Sequence, residues 1–316
     1  MSSERAQIIF RVVVVAAVVA AFGQVTLGGV VRVTNSGLGC PDWPLCYGQI
    51  IPPFSVPTMI EYSHRLSASV LSLFVLGTAV LAWLQFRENR VVIGSSIAAL
   101  VLVVVAAILG GVTVLTELEW WVVLFHLGIA EMLLASLIVA AIGGWSVSRA
   151  ENESAVAKPG ATTRNLVIAA IVGAFMLILS GSYMVGYGAG TSCATWPLCR
   201  GSFWPSDAAA YLIHMGHRYI AALVGLIVLA AAWHVIRNFQ DNPPARLAAL
   251  AVILVFAIQI IVGAAVIWTK FGADFKAVHL SVATLVWAAL VTMVGLIYLP
   301  QQKTVTAATA LRFQQA

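Results

Sequence analysis

Long apolar runs separated by short polar segments dominate the chain. Each run is long enough to cross about 30 Å of hydrocarbon at about 1.5 Å per residue. Backbone polar groups need internal partners in lipid, and the alternation typical of barrel strands is not present, so we expect helices. The pattern therefore predicts an all-α integral membrane protein. Its eight predicted helices cover Ile8–Val31, Met59–Phe86, Val91–Leu115, Trp120–Trp145, Asn165–Tyr187, Tyr211–Ile236, Arg246–Thr269 and Phe275–Leu299.

Composition and charge agree with this pattern. Of the 316 residues, 61% are hydrophobic and 9% are charged, whereas soluble domains carry about 25% charged residues. The net charge is +5, but no basic run of the kind that binds phosphates is present, which argues against nucleic acid as a partner. The expected partner of the surface is the lipid bilayer.

The distribution of Lys and Arg predicts the orientation. The N-terminus, the even-numbered loops and the C-terminal tail contain eleven of these residues, and the opposite side contains six. The positive-inside rule then places both termini in the cytoplasm of a multi-pass cell-membrane protein.

An internal repeat at a constant offset of 153 residues is the strongest signal in the chain. The offset aligns His64-Arg65 with His217-Arg218, and His126 with His279. It also aligns the following cysteines and glycines: Cys40 with Cys193, Cys46 with Cys199, Gly28 with Gly181, and Gly110 with Gly263.

The polar segment Ala150–Thr163 separates two sets of four predicted helices and is expected to be a flexible cytoplasmic linker. The predicted halves are residues 1–150 and 151–316. Because each half has an even number of helices, both halves enter and leave the membrane on the same side. We therefore expect two four-helix bundles related by a pseudo-two-fold axis along the membrane normal.

The repeated histidines are candidate metal ligands. His64 pairs with His126 in the first half and His217 with His279 in the second, all about 8–10 Å below the outer surface. Two histidines at one depth of a bundle can ligate a metal from both sides. Zinc is disfavoured because no thiolate or second carboxylate matches their depth, copper stays open, and a haem needs only one or two axial ligands and an apolar slot. The alternative is that each histidine is a buried hydrogen-bonding residue.

Charged neighbours of the histidines suggest further roles. Arg65 and Arg218 are candidates for pairing with the anionic propionates of a haem, or they are cations that extend toward the surface from a helix end. Glu61 lies one turn before His64, whereas its repeat equivalent is His214. A carboxyl near a haem edge can move protons; the alternative is an interfacial Glu that faces water.

Both cysteine pairs lie in predicted outer loops, where disulfides are the expected state. Cys40 with Cys46 and Cys193 with Cys199 each enclose a Trp-Pro turn, and such a small ring suits a disulfide. A structural staple and a redox role both stay open.

The segments Gly37–Gly48 (GLGCPDWPLCYG) and Glu61–Arg65 (EYSHR) resemble the first outer loop and second helix of the heme A synthase family. The sequence Met215-Gly216-His217-Arg218, with the second cysteine pair, resembles the second half of that family. The resemblance covers nearly the whole chain. It implies an oxidoreductase that converts heme O to heme A for terminal oxidases, by oxidising a ring methyl group to a formyl group.

The resemblance also implies a division of labour between the halves. His217 and His279 would hold a resident haem b, His64 and His126 would hold the substrate haem, and Glu61 would assist the chemistry. The expected substrate is heme O; a heme O synthase, an electron donor and a second copy of the chain stay open as partners.

Two other classes of protein are alternatives. A b-type electron-transfer cytochrome would hold two equivalent haems, and the unmatched Glu61 argues against that equivalence. A transporter would have broken helices at mid-membrane, whereas here the polar residues cluster near the outer surface.

Overall fold

The computed structural model describes residues 3–146, 159–205 and 208–299. Within these ranges the chain forms eight long helices and no β-strand apart from isolated bridges at Cys46–Gln49 and Cys199–Ser202. Each helix is long and apolar enough to cross a membrane, which confirms the predicted fold class. The helices are α1 (Ser3–Val33), α2 (Val56–Gln85), α3 (Arg90–Leu115), α4 (Trp120–Ser146), α5 (Ala161–Gly186), α6 (Ala209–Asn238), α7 (Pro243–Trp268) and α8 (Ala273–Tyr298).

Capping side chains set several helix ends. Helix α2 begins three residues before the predicted Met59, because the side chain of Ser55 accepts a hydrogen bond from the backbone N–H of Thr58 and Pro57 suits the first turn. The side chain of Asn242 caps α7 in the same way.

Most of the predicted linker Ala150–Thr163 lies outside the described residues, as does the tail beyond residue 299. The last part of that segment differs from the prediction. Residues 161–163 form the first turn of α5, and Thr163 is buried there.

Consecutive helices pack as hairpins: α1 with α2, α3 with α4, α5 with α6, and α7 with α8. Contacts between the halves come from α1, α4, α5 and α8, so these four helices form the centre of the fold. The contacts are reciprocal, since α1 packs on α8 and α5 packs on α4. Reciprocity of this kind is what a two-fold relation between the halves predicts.

A polar contact joins the halves inside the apolar core. The hydroxyl of Thr284 in α8 donates a 2.7 Å hydrogen bond to Oε1 of Glu131 in α4. The indole N–H of Trp287 donates to the backbone carbonyl of Glu131 at 2.8 Å. Trp287 belongs to the buried core cluster that also contains the fully buried Leu134 and Leu290.

Candidate functional site

Each of the four repeated histidines packs against a glycine of the preceding helix. A β-carbon added to any of these glycines would approach the Cε1 atom of the imidazole to within 3.0–3.4 Å, which is closer than ordinary van der Waals contact. The absence of a side chain therefore lets each ring lie against the neighbouring helix backbone. The pairs are Gly28 with His64, Gly110 with His126, Gly181 with His217, and Gly263 with His279.

The fold also places the helices of each predicted histidine pair around a common neighbour. Helices α2 and α4, which carry His64 and His126, both pack against α1, and helices α6 and α8, which carry His217 and His279, both pack against α5. The buried Nδ1 atoms of His126 and His279 have no hydrogen-bond partner among the described residues. Buried polar atoms without partners are uncommon and costly, and coordination of a metal is one way to use such rings.

The other two histidines have hydrogen-bond partners, and these partners differ between the halves. The amide nitrogen of Gln24 lies 3.1 Å from Nδ1 and 3.3 Å from Nε2 of His64, and Ser67 donates to the Gln24 carbonyl oxygen. The hydroxyl of Ser180 lies 2.8 Å from Nδ1 of His217. The partner at Nδ1 of His217 fixes the orientation of that ring and leaves Nε2 for a metal. The Gln24 amide, in contrast, lies within hydrogen-bond distance of both ring nitrogens of His64.

Gln259 adds a further difference at the second pair. Its amide nitrogen lies 3.5 Å from Nε2 of His279, and its oxygen is buried without a partner in the described residues. The residue 153 positions earlier is Ala106. Gln24, Ser180 and Gln259 were not predicted from the sequence, because comparison of the repeats emphasises positions that match.

Glu61 is buried, with 3% of its surface exposed, and both of its oxygens are engaged. The backbone N–H of Cys40 donates to Oε2 at 2.9 Å. The guanidinium of Arg65 donates to Oε1 at 2.5 Å. The carboxylate is therefore held between its own helix and the disulfide loop, rather than facing water.

Arg65 and Arg218 hold the two cysteine loops. Arg65 donates to the carbonyl oxygens of Asp42 at 2.6 Å, Leu45 at 2.7 Å and Cys40 at 3.0 Å. Arg218 makes similar contacts in the second half, with the carbonyl oxygens of Thr195, Pro197 and Cys193. Most guanidinium donors of both residues are thus used inside the protein.

His214 occupies the place of Glu61 in the second half. Its Nε2 accepts a 3.1 Å hydrogen bond from Arg218, so Nδ1 carries the hydrogen and donates to the carbonyl of Ala189 at 3.0 Å. His214 is 4% exposed. Both residues therefore connect the helix to an arginine and a neighbouring loop, but only Glu61 brings a carboxylate.

Both predicted disulfides are present, Cys40–Cys46 and Cys193–Cys199. In the first loop the carboxylate of Asp42 accepts hydrogen bonds at 2.6 Å from the N–H groups of Tyr47 and Gly48. These bonds, the one from Gly48 foremost, hold the pKa of Asp42 below its usual range.

The described residues contain no group of three or more His, Cys, Asp or Glu that could hold a bare metal ion. The histidines form pairs instead, which is the ligand number that axial coordination of a haem requires. Two buried histidine nitrogens without partners and four glycines that admit the rings fit this type of ligand.

A family model and several named relatives match most of this chain. A family model described as cytochrome oxidase assembly protein (COX15-CtaA) matches residues 11–291. A heme A synthase of Alkalihalophilus pseudofirmus is 26% identical over 275 residues, which cover 86% of this chain and 92% of the relative. A heme A synthase of Exiguobacterium sibiricum is 30% identical over 213 residues, covering 67% of this chain and 70% of the relative. A heme A synthase of Bacillus pumilus is 27% identical over 265 residues, covering 80% and 83%.

Proposed function

Because the chain belongs to the COX15-CtaA family of cytochrome oxidase assembly proteins, we propose that it is a heme A synthase, a membrane oxidoreductase that oxidises a methyl group of heme O to a formyl group. The observation that carries the proposal is the pairing of histidines at repeat-equivalent places in both halves. Relatives that bear the name heme A synthase align over most of the chain.

The halves take different roles in this proposal. Residues 151–316 hold a resident haem b through His217 and His279, and residues 1–150 hold the substrate through His64 and His126. Support comes from the residues around each pair. Both halves have polar partners at their histidines, Gln24 in the first half and Ser180 and Gln259 in the second. Only the first half has a carboxylate, that of Glu61, one turn from its histidine.

The resident haem, when bound, supplies an electron relay. Side chains of the protein hold the substrate and accept protons. Conversion of a methyl group to a formyl group adds one oxygen atom and removes electrons and protons; with water as the oxygen source, R–CH3 and H2O give R–CHO, four protons and four electrons. Glu61 lies on the same face of α2 as His64 and can accept a proton at Oε1 or Oε2. Arg65 and the Cys40 N–H stabilise the carboxylate form, since both donate to it.

The proposed arrangement in the membrane follows the charge pattern. Both termini are proposed to be cytoplasmic, and the haem sites near the outer face, because the side with fewer Lys and Arg residues carries the disulfide loops. The substrate has a large apolar ring besides its propionates, and the site lies inside the helices, so a heme O synthase in the same membrane is the proposed source of substrate. An electron donor is the other proposed partner, and self-association stays open.

The test is pigment analysis after expression with a supply of heme O. The wild-type protein should yield extractable heme A, whereas a b-type electron-transfer cytochrome would yield none. Glu61→Gln keeps the shape of the side chain but removes its charge. This variant should retain haem b and stop or stall oxidation at the alcohol.

Two further variants complete the test. His217→Ala or His279→Ala should lose the resident haem. Glu119→Gln removes an exposed carboxylate from the outer loop before α4 and is the control, with normal heme A. Normal heme A from Glu61→Gln, or loss of the resident haem from His64→Ala, would contradict the assignment of the halves.

A further inference from the structure

Arg32 is a cation near the outer end of α1 without an assigned role. It is partly buried, and its guanidinium forms no hydrogen bond, ion pair or ring contact with any residue in the described part of the chain. The other outer arginines of the helix ends differ, because Arg65 and Arg218 are each bound to several carbonyl oxygens. A guanidinium that is partly removed from water and has no anion nearby is unfavourable unless a ligand supplies one.

The face of α1 that carries Arg32 is the face that contacts His64 of the first histidine pair. Gln24 forms hydrogen bonds with His64, and a β-carbon at Gly28 would lie 3.1 Å from the His64 ring. Gln24, Gly28 and Arg32 follow one another at intervals of four residues, so they are neighbours along one side of the helix. Arg32 therefore lies one turn, about 6 Å, outward of the point where α1 meets the imidazole.

The sequence places this cation in the first half only. The residue 153 positions after Arg32 is Val185, which is 46% exposed. The half that has Arg32 in place of Val185 is also the half that has Glu61 in place of His214. Arg32 marks the proposed substrate site and not the proposed resident site.

We propose that Arg32 binds a propionate carboxylate of the tetrapyrrole substrate in the first half. The inference rests on the proposed function, because it takes the ligand of the first histidine pair to be a haem. A haem held at His64 presents two carboxylates at one edge, and a guanidinium one turn away toward the outer surface can form charge-assisted hydrogen bonds with one of them. Arg65 is the alternative cation, but its donors are bound to the loop and to Glu61.

The experiment measures binding of a second haem to the purified holoprotein, which already contains its resident haem. The probes are iron protoporphyrin IX and its dimethyl ester, which has the same ring but no carboxylates. Loss of a charge-assisted hydrogen bond in a partly buried site should weaken binding of the free acid by about 10-fold or more in Arg32→Gln. Binding of the ester should be the same in wild type and variant, and Arg32→Lys should retain part of the preference for the acid.

Two control variants test whether the weaker binding of the free acid arises at Arg32 and at the first histidine pair. Arg200→Gln removes the same charge from the same side of the protein, at an exposed arginine that contacts Tyr211, and should leave both titrations unchanged. His64→Ala should abolish binding of the second haem. The spectrum of the resident haem shows whether each variant has folded.

The inference is overturned if Arg32→Gln binds the acid as the wild type does, if it loses acid and ester equally, or if the wild type binds no second haem. Failure of the proposed function gives a different result. In that case no heme A is formed, while the acid-specific effect of Arg32→Gln on binding persists.

Discussion

Thr284 donates a hydrogen bond to the carboxyl of Glu131, and the two residues lie 153 positions apart, which is the offset of the internal repeat. Equivalent positions of the two halves thus contact each other where α4 meets α8. Glu131 is completely buried, and its Oε2 atom has no partner among the described residues. The stability of the interface between the halves should therefore depend on the single donor that Thr284 provides.

Thr284→Val should destabilise the protein by about 1–3 kcal/mol, because it leaves a buried carboxyl without its donor. Thermal unfolding in detergent measures the change. The double variant Glu131→Leu with Thr284→Val should be more stable than Thr284→Val alone, since an apolar pair needs no hydrogen bond. A double variant less stable than either single variant would show that the hydrogen bond is not what matters at this place.

The glycines beside the histidines should tolerate no side chain. Gly181→Ala places a β-carbon 3.2 Å from Cε1 of His217, and the displaced ring should change the absorption spectrum or the content of the resident haem. Gly28→Ala, at 3.1 Å from His64, should lower heme A formation and leave the resident haem unchanged. Gly23→Ala is the matched control on α1, because nothing lies within 4 Å of its β-carbon position. Identical spectra and heme A yields in all three variants would contradict this role of the glycines.

The hydrogen bonds by which Arg65 holds the first loop should require a guanidinium. Arg65→Lys keeps the charge, but an ammonium cannot bridge the Asp42 and Leu45 carbonyls and Glu61 together. We expect at least a several-fold loss of heme A formation with normal haem b content. Arg218→Lys should instead alter the resident haem spectrum. Pigment extraction and absorption spectra of the two variants provide the comparison, and an unchanged activity of Arg65→Lys would argue against the role of the loop.

The stability of the loop that contains Asp42 should depend on pH and on the Asp42 carboxylate. The folded protein lowers the pKa of Asp42, so the contribution to stability is present above the ordinary Asp pKa of about 3.9 and is lost as the pH falls through the lower folded value. At neutral pH, Asp42→Ala should speed hydrogen exchange at the Tyr47 and Gly48 amides. Exchange in the second loop, where Thr195 accepts from the Arg200 N–H, is the internal control. Equal exchange in wild type and variant would show that these hydrogen bonds contribute nothing to the loop.

Helix positions were predictable because hydrophobic length decides them in a membrane. The predicted helix Trp120–Trp145 differs from α4 by one residue. The start of α2 was less well predicted, since it depends on the hydroxyl of Ser55 rather than on hydrophobicity. The disulfides were predictable because each pair is separated by only a short Trp-Pro turn.

The site was predictable only where the two halves match. Comparison at the offset of 153 residues identified the four histidines, but not the contacts of Arg65, which depend on the folded shape of the first loop. The same comparison does not single out Glu131, although a carboxyl within a predicted membrane helix is itself a functional signal. Its partner, Thr284, has a different chemistry, so the repeat gave no indication of the pair.

The joining of both halves in one polypeptide has an evolutionary consequence at the contact between α4 and α8. A symmetric dimer of identical four-helix subunits would carry the same residue at both places, so Glu131 would face a second carboxyl in a medium that disfavours charge. Duplication followed by fusion removes that constraint, because each copy can then diverge independently. A donor can replace one carboxyl at the junction, and Glu61 can be kept in one copy while His214 takes its place in the other. Two halves that were once identical can then acquire different roles, one reacting and one supporting, through single substitutions in either copy.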